Sequence, residues 1–293
     1  MKKAISLWLL IAVIFCFTTC TPDAHTESTA TTAQTPVFQG NQKQELTVIS
    51  FNVRREYTTD LGVHNWEERK APMIEYLNKL SPDIFCMQEI SRDIMRYITQ
   101  GLSHSYDYEY FNNNMVLYRR DILSPERKGA FYLNSDPLKA QKGWDAKNVR
   151  NCQYLLFHHL ESGATFYLFN THFDAHGANA RYESAVLVDR LLAECEYPFL
   201  LCGDLNCPES YAAYQVITQN MIDCRKVAPQ TDDGATYHGW GAVVDGTGTP
   251  IDYCLASTFG VEPQQFSILR DRWDLINFYS DHYAISCTVN ILY

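Results

Sequence analysis

Eight polar residues stand at the ends of apolar runs in this chain, and that placement constrains its fold more than any other feature. Asn52, Glu89, His172, Asp204, Asn206 and Asp252 each follow or terminate such a run, and Asp281 and His282 immediately precede one. In layered α/β folds, strand ends meet along one edge and present their last side chains to a common pocket. A single Asp or Asn at a strand end is usually a turn residue. A single His is more often structural than catalytic. Eight together, mixing carboxylates, amides and two histidines, point to one site.

The runs read as mixed elements. Residues 46–51 are β-branched and partly alternating, a strand pattern. Trp66, Met73, Ile74, Leu77 and Leu80 recur at helical spacing, and Pro72 fits only near the start of that helix. Residues 83–87 read as a buried strand ending at Gln88-Glu89, after which Ser91 caps a second helix that Gly101 stops. Residues 115–118, 130–133, 152–160 and 165–170 are strand candidates, the last two joined as a hairpin. A helix over 182–192, a strand over 198–202 and a helix over 211–217 follow. Residues 251–256, 266–269 and 284–291 close the chain as strands. Without strict βαβ alternation, this pattern predicts two packed, mostly antiparallel sheets with helices outside, an α/β sandwich. Residues 231–250, rich in Gly, Asp and Thr, are the best candidate for a mobile loop beside a site.

Ahead of this domain, Lys2 and Lys3 precede an apolar run over 5–17 that is short for a membrane span and has signal-peptide form. Cys20, after Phe17-Thr18-Thr19, resembles a bacterial lipoprotein cleavage box. The expected organisation is a lipoprotein-type signal over 1–20, a flexible tether over 21–44 and one domain over 45–293. The chain would then be exported and held at a membrane by a lipid on Cys20. Its formal net charge of −10 repels polyanions at long range and argues against tight, sequence-independent binding to long nucleic acids. Cys86, Cys202, Cys254 and Cys287 lie inside apolar runs and read as small buried hydrophobes. With no CxxC pair, no GxSxG elbow and no P-loop, zinc, serine-hydrolase and nucleotide-triphosphatase readings lose ground.

The residue types at the strand ends suit one chemistry. Mg²⁺ takes oxygen ligands, keeps several waters and uses one or two carboxylates plus substrate phosphate. Glu89 offers a carboxylate and Asn52 an amide oxygen, with Mn²⁺ as the alternative ion. Phosphate hydrolysis needs positioning, charge neutralisation and an oriented water. Asp204 can orient or deprotonate that water. Asn206, His172 and His282 can donate to phosphoryl oxygens, and Asp252 can orient a histidine.

Six segments in order, Ser50-Phe51-Asn52-Val53-Arg54, Met87-Gln88-Glu89, Asn170-Thr171-His172-Phe173-Asp174, Gly203-Asp204-Leu205-Asn206, Ile251-Asp252-Tyr253 and Ser280-Asp281-His282, resemble the signature of the endonuclease/exonuclease/phosphatase family, the deoxyribonuclease I-like fold. Trp66-x-x-Arg69-Lys70, Gly143-Trp144-Asp145 and Ala180-Arg181-x-x-Ser184-Ala185 resemble a branch of small secreted bacterial members. The resemblance implies a four-layer α/β sandwich and divalent-metal phosphoester cleavage. It places Asn52 and Glu89 on the metal, Asp281 near it, and His172 and Asn206 on phosphate. Asp204 activates water, His282 is the catalytic histidine and Asp252 orients it, the base being Asp204 or His282. The stretch Asn112-Asn113-Asn114-Met115 is shorter than in that branch, where this region shapes the substrate cleft. The expected substrate is a phosphoester: nucleic acid, a phospholipid head group, or a sugar or inositol phosphate. No obligate protein partner is inferred. The rival reading is a catalytically inactive phosphate- or ligand-binding module on the same fold. Arg54 and Arg181 admit two roles, phosphate clamp or ion-pair partner.

Overall fold

Alternation along β1 (Lys43–Asn52) sets the layering. Leu46 and Val48 enter the apolar layer between two sheets, while Ile49 and Phe51 enter the layer beneath the helices, as a strand's two-residue period requires. In β2 (Ile84–Gln88) the same split puts Ile84 and Cys86 inside and Phe85 and Met87 outside. The computed structural model describes residues 40–103 and 105–293. The expected signal peptide, Cys20 and most of the tether lie outside the described residues. β1 takes in Lys43 and Gln44, and Gln42 exchanges backbone hydrogen bonds with Tyr293 at 3.3 and 3.1 Å. The last tether positions therefore belong to the sheet.

Two six-stranded sheets form. The first runs β11 (Val261–Leu269), β12 (Ala284–Leu292), β1, β2, β4 (Asn114–Arg119), β3 (Tyr106–Phe111). The second runs β5 (Leu123–Tyr132), β6 (Asn151–His159), β7 (Thr165–His172), β8 (Phe199–Asp204), β10 (Asp252–Ser257), β9 (Met221–Asp223). Each is mixed, with one parallel pair among antiparallel neighbours: β1 with β2, and β7 with β8. Laid side by side, the two orders are the same. In each, a helical segment connects the parallel pair: α1 (Trp66–Leu80) between β1 and β2, and α3 (Ala178–Leu192) between β7 and β8. α2 (Arg92–Gly101) joins α1 on the outer face of the first sheet, and α3 with α4 (Ala212–Ile217) covers the second. Three apolar layers thus separate four structural layers, the sandwich the strand pattern predicts.

Local signals hold at the helix starts. Asn65 caps α1 by accepting from the Glu67 N–H at 2.9 Å, and Ser91 caps α2 by accepting from the Ile94 N–H at 3.2 Å. Pro72 departs from expectation by lying inside α1. It removes one backbone donor, which burial of Met73, Tyr76 and Leu77 outweighs. The eight described cysteines are free and buried. Cys86, Cys202, Cys254 and Cys287 sit in the layer between the sheets, where a thiol packs as a small apolar group.

Candidate active site

The carboxyl ends of the two parallel pairs meet across the sandwich, where parallel strands open a crevice. Asn52 ends β1 beside Gln88 of β2, and His172 ends β7 beside Asp204 of β8. Beneath them, buried amides tie the sheets together. Gln88 Nε2 donates to Asn170 Oδ1 at 2.8 Å, Asn170 Nδ2 donates to the Met87 and Met115 carbonyls at 3.1 Å, and Asn114 Nδ2 donates to Asn151 Oδ1 at 3.2 Å. Buried polar groups are costly unless paired, so these bonds hold the two strand-end clusters in register.

Asp204 lies at the centre. Its Oδ2 accepts from Asn52 Nδ2 at 3.1 Å and stands 3.3 Å from His172 Nε2 and 3.8 Å from His282 Nε2. Its Oδ1 accepts from the Asn206 N–H at 2.8 Å. Burial and the neighbouring Asp252 charge push its carboxyl up to about 7, against the opposing pull of His282. His282 Nδ1 lies 2.9 Å from Asp252 Oδ2, which also accepts from Thr236 Oγ1 at 2.6 Å. Burial opposes charge on His282, but the Asp252 carboxylate, with help from Asp204 and Asp281, outweighs it and raises the ring to about 10. His172 goes the other way: burial, Arg150 and His282 hold it well below its ordinary value. Arg150 Nη1 sits 2.9 Å from His172 Nδ1. A guanidinium only donates, so Nδ1 accepts and the ring proton lies on Nε2, toward Asp204.

Glu89 leaves β2 with a φ of 61°, and that left-handed turn swings its carboxylate to the cleft rim. Its Oε1 stands 3.5 Å from Asn52 Nδ2, and its Oε2 accepts from the Arg55 N–H at 3.1 Å. Asn52 Oδ1 accepts from the Arg54 N–H at 3.0 Å and keeps a second lone pair free. A carboxylate at the cleft rim and a buried amide oxygen behind it are donors of the kind a hard divalent ion takes, although Asn52 here turns Nδ2 rather than Oδ1 toward Glu89. Asp204, Asp252 and His282 also hold ligand atoms within 4.8 Å of one another. In that trio His282 Nδ1 is engaged with Asp252, and Nε2 stands 3.8 Å from Asp204. Asn206, at a φ of 49°, donates Nδ2 to the Phe173 carbonyl at 3.1 Å. Asp281 is buried and pairs with Arg54 Nη1 at 3.2 Å, while Arg54 also grips Asp60 through two bonds of 2.9 Å. Of the two roles open to Arg54, the ion pair is therefore the one formed. Arg181 donates to the Asp174 carbonyl at 2.9 Å, a structural use as well.

Two participants, Thr236 and Arg150, are not among the residues the sequence singles out, and Arg69 stands there only within a branch segment, with no role. Thr236 steadies Asp252. Buried Arg69 donates to the carbonyls of His64, Val53, Tyr279 and Arg54 at 2.7 to 3.0 Å, fixing the backbone around Asn52. Arg150 immediately precedes β6, just as Asp281 and His282 lead into β12, so the strand-end rule extends to it. The branch segments explain its support. Asp145 accepts from the Ala180 N–H at 2.6 Å at the start of α3, and Asp174 accepts from the N–H groups of Lys147, Asn148, His176 and Gly177. The loop over 231–250 does lie against the site, with the Tyr237 ring centred 5.0 Å from His282 and Trp240 stacked on His64 at 4.2 Å.

A layered sandwich with acids, amides and histidines gathered at the strand ends is the architecture of a phosphoester hydrolase. The chain belongs to the endonuclease/exonuclease/phosphatase family, whose model matches residues 49–282; the family is typically divalent-metal dependent. Among solved structures it is similar to an endonuclease/exonuclease/phosphatase family protein from Bacteroides thetaiotaomicron, at 25% identity over 85% of this chain and 99% of that one, with a TM-score of 0.79. A mannosyl-6-phosphatase of the same species matches at 25% identity over 83% of this chain and 99% of its own, with a TM-score of 0.77. Zebrafish (D. rerio) TDP2, solved with a single-strand DNA product, shares the fold at 18% identity, 84% and 99% coverage and a TM-score of 0.67.

Proposed function

We propose that this chain is a Mg²⁺- or Mn²⁺-dependent phosphohydrolase that cleaves its ester by direct attack of water. The observation carrying the reading is the convergence on Asp204 of Asn52 from one sheet and His172 from the other, at 3.1 and 3.3 Å, with the Asp252–His282 pair alongside. Glu89 and Asn52 would hold the ion, with Asp281 nearby. The bound ion would neutralise phosphoryl charge and help position the substrate. Ionised Asp204 takes the proton from the attacking water, its position set by Asn52 and the Asn206 N–H. His282, kept protonated by Asp252, donates to the phosphoryl oxygens as charge develops. His172 and Asn206 complete the donors to phosphate. The amino-terminal pattern of Lys2, Lys3, an apolar run and Cys20 supports export and lipid anchoring; mass spectrometry of the mature amino terminus tests it, and an unmodified terminus beyond residue 20 rules it out.

The test of function is hydrolysis of p-nitrophenyl phosphate and bis-p-nitrophenyl phosphate with Mg²⁺ or Mn²⁺, with and without EDTA. Asp204→Asn and His282→Ala should each lower kcat by about 10³-fold, roughly 4 kcal/mol of barrier. His159→Ala should stay within about 5-fold, because that buried ring only receives the Ser162 N–H and lies 3.0 Å from its hydroxyl. Equal damage from His159→Ala and His282→Ala, in folded variants, would overturn the assignment. So would zero turnover by wild-type protein with either ion.

A further inference from the structure

Beside Glu89 an open cleft of about 200 Å³ is lined by Arg55, Tyr57, Asn112, Asn113, Asn148 and Arg150, smaller than the roughly 300–1,000 Å³ of pockets for drug-sized ligands and suited to a small polar one. Arg150 stands out because no carboxylate hydrogen-bonds its guanidinium, although Asp204, Asp174 and Glu89 act on its charge from longer range. Asp174, the nearest carboxylate, is 3.9 Å from its Nε and already receives four backbone N–H groups. Among the described residues, Nη1 to His172 Nδ1 is the one hydrogen bond the guanidinium makes, and its Nε has no partner. The side chain is only 17% exposed. Arg54 and Arg69, close by, are both fully engaged with carboxylates and carbonyls. A largely buried guanidinium with open donors at a cleft wall is an incomplete pair, and a planar fork of N–H groups is completed best by two oxygens of one anion.

We propose that Arg150 reads a terminal phosphate, so that the site takes phosphomonoesters of small polyols, sugar phosphates above all, ahead of phosphodiesters. The inference rests on the phosphohydrolase reading and narrows its substrate class. A phosphomonoester carries about −1.5 to −2 charge near neutral pH and three terminal oxygens. A diester carries one negative charge and two such oxygens. With one oxygen on the ion and another facing His282, only the monoester keeps a further oxygen for Arg150. The remaining wall suits hydroxyl groups. Asn112 and Asn113 form the tight turn between β3 and β4, with φ of 43° and 70°, and Asn148 and Tyr57 add further polar contacts. A net charge of −10 also disfavours a long polyanion here.

The test uses Mg²⁺-loaded wild-type protein with the Arg150→Lys and Arg150→Met variants. Calorimetry measures binding of inorganic phosphate and of dimethyl phosphate. Turnover is measured on glucose 6-phosphate and bis-p-nitrophenyl phosphate. Wild-type protein should bind phosphate at least about 10-fold tighter than dimethyl phosphate, and favour the monoester in kcat/KM by a similar factor. Arg150→Met should weaken phosphate at least about 10-fold and dimethyl phosphate under about 3-fold, with Arg150→Lys between. Equal losses on both anions would mean that Arg150 acts by orienting His172, and would overturn the proposal. So would unchanged phosphate binding in Arg150→Met, or a wild-type preference for the diester. If Arg150→Met fails to fold, the wild-type preference and Arg150→Lys decide. Retained discrimination between the anions without turnover of either ester would overturn the hydrolase reading and leave the anion assignment standing.

Discussion

Gly203→Ala tests how strictly the backbone holds the site. Gly203 sits in β8 opposite Thr171 of β7, one residue before the His172–Asp204 pair. A Cβ there would lie 1.9 Å from the Thr171 carbonyl oxygen and 2.9 Å from its carbon. No side chain can turn aside to relieve this, because the obstacle is backbone. The parallel strands must separate by more than about 1 Å to restore van der Waals contact. The φ of 148° adds backbone strain of about 1–3 kcal/mol for a residue with a Cβ. Overpacking adds about 1–3 kcal/mol. A total near 4 kcal/mol lowers Tm by roughly 8–16 °C in a domain of this size. The same separation pulls His172 Nε2 away from Asp204 Oδ2, now 3.3 Å apart. A displacement near 1 Å at reacting groups is worth about 10²-fold in rate. Thermal melts followed by circular dichroism give the first quantity, and kcat measured well below the variant's Tm gives the second. Gly163→Ala is the control: φ is 80°, yet the nearest atom to its Cβ would be 3.9 Å away, so it should cost about 1 kcal/mol and leave kcat alone. A Gly203→Ala protein with wild-type Tm and kcat would refute the claim that the β7–β8 contact sets the site.

Glu89→Gln should leave the fold intact and weaken metal activation, with excess Mg²⁺ recovering part of the activity. Metal titrations of kcat check this, and unchanged activation would remove Glu89 from the ion. Asp252→Asn should lower kcat by about 10–100-fold, less than His282→Ala, since it misplaces the ring rather than deleting it. Steady-state rates for both variants decide the order. His238, buried between Phe278 and Tyr283 with Nδ1 accepting from the Gly241 N–H, is held down to about 4, chiefly by burial. A base whose pKa falls on folding stabilises fully above its unfolded value near 6.5 and loses that contribution as pH drops toward 4, here at most about 3 kcal/mol. Urea midpoints at pH 7.5 and 4.5 should therefore converge more closely in His238→Gln than in wild type.

The strand-end pattern was legible because each site residue interrupts an apolar run, and such runs are local. What joins those ends is not local. Asn52 meets Asp204 across 152 positions and Asp252 meets His282 across 30, distances that only the sheet order closes. Arg150 was passed over because one arginine ahead of a strand reads as a solvated residue. Its meaning appears once β6 is laid against β7 and the guanidinium falls beside His172. The edge strand β3 escaped for the opposite reason. Asp107 and Glu109 break its apolar character, since an edge strand half open to water needs no continuous run. The two roles open to Arg54 were separable only in space, by the position of Asp60 and Asp281.

The repeated strand order explains why this site is divided as it is. Overlaying the two sheets brings Asn52 onto His172, Gln88 onto Asp204, Asn114 onto Asp252, and Arg150 onto the segment that carries His282. If both halves carried acids at these buried strand ends, four carboxylates would crowd one low-dielectric spot and could not all ionise. Amides fill the first half, as Gln88 and Asn114, and acids the second, as Asp204 and Asp252. The acid belonging to the first half appears one residue later, as Glu89, where a left-handed turn lifts it out of the buried cluster to the open rim. Under the proposed mechanism, proton handling would stay dry between Asp204, Asp252 and His282, while the Glu89 carboxylate would meet a hydrated ion at the rim. Positive charge crosses that division: His282, which leads into β12 of the amide half, is held by Asp252 of the acid half, and its counterpart Arg150, which leads into β6 of the acid half, lines the cleft beside Glu89 of the amide half.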